Sequence, residues 1–121
     1  MYVFDPATNI IRTTARGIVR FDDLAVHLQA LIDDGFARVP QLIDSRDAEH
    51  DLSPSDMRRL VGLVGHLQVA HGLSHRTALV VSTPMDFGMA RMYGALAHNV
   101  DPDFSVFRDL GEAEAWLRGA R

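Results

Sequence analysis

A chain of 121 residues without cysteine, at a formal net charge of -4, has room for one hydrophobic core and forms no disulfide, thiolate nucleophile or thiolate metal site. Its apolar share of 47% and charged share of 23% exclude a disordered, collagen-like or low-complexity chain. All 12 basic residues are arginine and scattered singly except for Arg58-Arg59, so there is no basic stripe for nucleic acid and no lysine for a P-loop or Schiff base.

The N-terminal MYVFDPATNI lacks a positive segment before an apolar run, and no stretch reaches the ~18 apolar residues of a membrane span. A cytoplasmic protein with no transmembrane segment is expected. Tyr2 to Asp5 reads as a strand, Pro6-Ala7-Thr8-Asn9 as a turn and Ile10 to Arg20 as a second strand, giving a hairpin. In the second arm Ile11, Thr13, Ala15 and Val19 share one face and Arg12, Thr14, Arg16 and Arg20 the other. Ile18 breaks the alternation after Gly17, which marks a bulge.

Asp22 is placed to cap a helix with the inner stripe Leu24, Leu28, Leu31 and Ile32, stapled by Phe21 and Val26, and Asp33-Asp34-Gly35 ends it. Pro40 opens a strand from Gln41 to Asp44, and Ser45 to Asp51 reads as a polar loop. Ser53-Pro54-Ser55-Asp56 is a capping box with proline at N1. It starts a helix with the stripe Met57, Leu60, Val61, Val64 and Leu67, closed by Gly72. Gly62 and Gly65 inside that helix imply close approach of a neighbouring segment.

Thr77 to Ser82 holds an unbroken Ala-Leu-Val-Val run, the pattern of a strand covered on both faces. A helix over about Asp86 to His98, a strand from Phe104 to Phe107 and a helix capped by Asp109 with Glu112 complete the chain. The order ββαβαβαβα predicts a single α/β domain over residues 1–121: a mixed five-stranded sheet whose first strand runs antiparallel, with about four helices joined by right-handed crossovers.

Over nearly its whole length this order is similar to that of the SpoIIAA-like (STAS-like) family, related in fold to bacterial anti-sigma-factor antagonists. The resemblance is carried by Gly17, Leu42-Ile43-Asp44, Phe87-Gly88-Met89-Ala90-Arg91, Val106-Phe107-Arg108-Asp109 through Ala113, and Trp116-Leu117. In the antagonist branch a serine at the start of the second helix is phosphorylated. The resemblance therefore points to the region of Ser53 and Ser55, with Pro54 at the acceptor place itself.

Ligands of parallel α/β sheets bind at the carboxyl ends of the strands. Here that edge gathers Asp44, Arg46, Ser82, Asp86 and Arg108, with no glycine-rich phosphate loop. Each expected helix start carries its own aspartate, at positions 22, 56, 86 and 109, which disfavours a bound phosphate. Of the six histidines only His71 and His75 have i, i+4 spacing, across Gly72, and His50 lies among acids in the expected polar loop, so no metal and no cofactor is expected. No complete catalytic site is legible.

The third helix has almost no polar face: Met85, Met89, Met92 and Leu96 align, and Phe87, Ala90 and Tyr93 extend the apolar surface. With the helices in one layer, that surface is expected to form an interface through Met85, Met89, Met92 and Tyr93, most simply a homodimer. The leading expectation is a non-catalytic regulatory or protein-protein interaction module. The alternative is a carrier or sensor of a small apolar or lipid-like ligand, and an enzyme with a site invisible in sequence is third.

Overall fold

A computed structural model describes residues 2–74 and 76–119. Its elements are β1 (Tyr2–Asp5), β2 (Ile10–Val19), α1 (Phe21–Asp33), β3 (Gln41–His50), α2 (Pro54–His71), β4 (Thr77–Val80), α3 (Pro84–Leu96), β5 (Phe104–Phe107) and α4 (Leu110–Leu117). The five strands lie side by side in chain order, β1 antiparallel to β2 and all later pairs parallel.

Sequential order has a direct consequence for the layers. Right-handed crossovers that step in one direction across a sheet place their helices on the same face. The crossover helices α1, α2 and α3 accordingly share one face, linked by an α2 cluster of Val64 and Leu67 with Leu28 and by an α2–α3 cluster of Met57, Tyr93 and Ala97. α4 follows the last strand, needs no crossover, and covers the opposite face. There Ala113 and Leu117 pack on Ile10, Leu42, Ala78 and Val80, with Trp116 against Phe107. The helices therefore form two layers rather than the expected one.

Local chemistry sets the element ends. Asp5 accepts from the Ala7 N–H and the Thr8 hydroxyl, fixing the hairpin turn. At the start of α2 the Asp56 N–H donates to Ser53 Oγ and the Ser53 N–H donates to Asp56 Oδ2, both at 3.0 Å, as the capping box requires. Gly72 ends that helix in the left-handed region at φ 68°. Gly65 admits the Val100 methyl, which would stand 3.2 Å from an added Cβ, whereas Gly62 faces open space and its expected close neighbour is not there.

Three local expectations are corrected. α1 is capped at Arg20, whose N–H donates to Asp23 Oδ2, so Asp23 rather than Asp22 closes the first turn. Val26 is exposed and Phe21 lies beneath the Arg59 guanidinium, so the two form no staple. α3 begins two residues earlier than expected, at Pro84, because the Thr83 hydroxyl accepts from the Asp86 N–H as its cap.

The largest correction concerns Ser45 to His50, which continue β3 as strand instead of forming a loop. Arg16 to Val19 of β2 pair with Asp47 to His50, and this backbone ladder overrides the polar composition. Between Thr14 and Arg16 the ladder advances two residues on β2 and three on β3, so β3 carries one extra residue. Such a bulge reverses side-chain alternation. The irregularity thus lies beside Thr14 to Arg16, just ahead of Gly17, which itself adopts φ 70°.

Candidate functional site

Between the sheet and the layer of α1, α2 and α3 lies a cavity of about 420 Å³. Its floor is the sheet face that carries Thr13, Gln41, Ile43, Thr77, Leu79 and Val81. Leu28, Leu60 and Met89 reach it from the three helices. Ile43 and Leu79 sit on neighbouring inner strands, paired in register, yet remain only half-buried. Leu28 and Leu60 do the same from the helix side. These leucines were expected as filled core; instead they leave a space between them, while the α4 face beneath packs tightly around Ala78 and Val80.

Polar groups are confined to a few stations on the wall. Near β1, Gln41 is 1% exposed and its Oε1 accepts from Thr13 Oγ1 at 3.0 Å and from His27 Nε2. Burial lowers the pKa of His27, favouring the neutral imidazole, and is partly offset by the bond to Gln41, in which the ring donates from Nε2 to Oε1. Toward β5, the Tyr93 hydroxyl donates to Asp101 Oδ2 at 2.9 Å. Burial, with Asp101 alongside, pushes the phenol up, and burial also raises the Asp101 carboxyl despite that hydrogen bond.

The third station is at the carboxyl end of the sheet. The extra residue in β3 lets Ser45 and His50, of opposite parity, both line the cavity. The His50 side chain is 7% exposed and its Nδ1 stands 3.4 Å from Asp86 Oδ1, at the first turn of α3. That Nδ1 is buried and has no hydrogen-bond partner.

The residues expected at the strand-end edge divide between two places. Asp44, Arg46 and Ser82 come together: Arg46 donates to the Asp44 carboxylate from Nε at 2.9 Å and Nη2 at 2.8 Å, and Ser82 Oγ donates to the Arg46 carbonyl. The guanidinium holds the Asp44 carboxyl below its usual range. Asp86 turns instead toward His50 and the cavity, and Arg108 is exposed beyond the end of β5. Of the residues expected at an interface, Met85 is 82% exposed and Met92 41% exposed, whereas Met89 lines the cavity and Tyr93 is buried. Ser53 is engaged as the α2 cap and Ser55 is exposed beside it.

His27, Gln41 and His50 have no motif in the sequence; only the alternation of Ile11 and Thr13 hinted at which face of β2 is lined. Among the described residues no three histidine, aspartate or glutamate side chains converge as a metal site would need, and His75 of the spaced pair lies outside them. Among the described residues no helix is long and apolar enough to cross a membrane.

No protein-family model matches the chain, and no curated protein matches it. Among solved structures it is similar to an uncharacterized protein of the DUF3478 family with a SpoIIAA-like fold, from Shewanella loihica PV-4. The two are 21% identical and superpose with a TM-score of 0.56 over 89% of this chain and 83% of that one. With its sequential five-stranded sheet and four helices in the order ββαβαβαβα, the chain has a SpoIIAA-like fold.

Proposed function

We propose that this domain is a non-catalytic binding module that holds a small, largely apolar molecule between its sheet and its helices, as a carrier or sensor. The observation that carries this reading is the cavity of about 420 Å³ floored by half-buried Ile43 and Leu79. Its size falls within the ~300–1,000 Å³ of small-molecule sites, which share its apolar wall and few polar groups. An interior otherwise packed to crystal-like density has no structural need for such a space. Native mass spectrometry of protein purified from its own host tests the reading: a retained small molecule supports it, and protein that is empty and takes up no apolar probe refutes it.

A second reading, a regulatory module that binds protein or pairs with itself, is favoured by α3, where Met85, Met92 and Leu96 are all exposed. The two are compatible, since α3 also supplies Met89 to the cavity and a ligand there would bear on the helix that carries the exposed residues.

A further inference from the structure

The polar end of the cavity has the wrong complement of groups for an acid. His50 is buried, lines the space, and leaves Nδ1 without a hydrogen-bond partner, an arrangement that costs free energy unless something supplies the missing contact. Asp86 Oδ1, 3.4 Å away, is near enough for Coulomb attraction to a protonated ring but does not line up as its acceptor. The acids Asp23, Asp101 and Asp103 also line the cavity, and Arg16 is the one arginine on its wall among the described residues.

Resting on the binding reading above, we propose that the ligand ends in a hydrogen-bond donor, a hydroxyl or an amine, which is seated between His50 Nδ1 and Asp86. A hydroxyl donates its proton to the Asp86 carboxylate and accepts from the Nδ1–H tautomer of His50, satisfying both groups with one oxygen. An ammonium donates to Asp86 and to the lone pair of the other tautomer. A carboxylate could accept from His50 but would face Asp86 at close range, in a cavity whose remaining ionisable wall is mainly acidic. The selection is therefore by repulsion as well as by fit.

The test is a matched series of eight-carbon probes, 1-octanol, octylamine and octanoate, titrated into the intact protein and followed by NMR chemical shifts. The two donor-ended probes are expected to bind at least about tenfold tighter than octanoate, the size of one charge-assisted hydrogen bond. Asp86→Asn, which keeps the α3 cap because only the Asp86 N–H takes part in it, should erase most of that preference by removing the like charge. Should that variant fail to fold, His50→Leu should weaken 1-octanol binding by removing one of its two partners. Octanoate binding as well as octanol to the wild type, a preference unchanged in folded Asp86→Asn, or 1-octanol affinity unchanged in folded His50→Leu, overturns the assignment while leaving the cavity reading intact. No binding by any probe overturns both.

Discussion

Filling the cavity from its floor separates a real interior space from one that closes in solution. In Leu79→Phe the new ring stands on β4, between Ile43 and Val106 in register, and enters the cavity rather than the packed α4 face. The change adds about three carbons; at ~0.8 kcal/mol for each buried methylene-sized group the gain is about 2 kcal/mol if the ring meets no existing atoms. In a filled core the same enlargement would cost about 1–3 kcal/mol through displaced neighbours, so the two cases differ in sign. Urea unfolding followed by circular dichroism reads the sign directly, as a raised midpoint with an unchanged slope. The same variant should lose affinity for 1-octanol. A lowered midpoint, with probe binding unaffected, would refute the argument that Leu79 borders an open space.

Ser53→Ala removes the acceptor for the Asp56 N–H and should lower stability by about 0.5–2 kcal/mol in denaturant melts. Because burial depresses the His27 pKa below its ordinary 6.5, the unfolded chain takes up the proton first as pH falls. Stability should therefore drop below about pH 6.5 and level off once pH passes the folded value, and His27→Gln should flatten that slope in melts from pH 7.5 to 5. Asp101 behaves oppositely: its raised folded pKa means the penalty is absent below the ordinary 3.8 and grows as pH rises through the folded value. Asp101→Asn, which still accepts from Tyr93, should be more stable than wild type at pH 7, with the difference closing near pH 4. Light scattering is expected to find a dimer that Met85→Asp shifts toward monomer without lowering the melting temperature, since Met85 is 82% exposed; a wild-type monomer at high concentration refutes pairing through α3.

Local interactions alone made several elements legible. Ser53, Pro54, Asp56 and Gly72 delimit α2 through bonds spanning five residues or fewer, and the unbroken Ala-Leu-Val-Val run marked β4 as covered on both faces, as it is. The order of strands and helices followed from the same short-range patterns. Strand adjacency did not, because ladders between β2, β3, β4 and β5 join segments tens of residues apart, and with them came the division of helices into two layers. The extension of β3 through Asp47 and Glu49 likewise depends on β2 lying alongside; read alone, that stretch is polar enough for a loop. The candidate site belongs wholly to this second kind. A cavity is the difference between what facing surfaces could fill and what they do fill, and no window of sequence contains both surfaces. His50, read as a residue of a polar loop, faces the cavity because one extra residue in β3 reverses the alternation, and His27 and Gln41 meet only because α1 folds back over the start of β3.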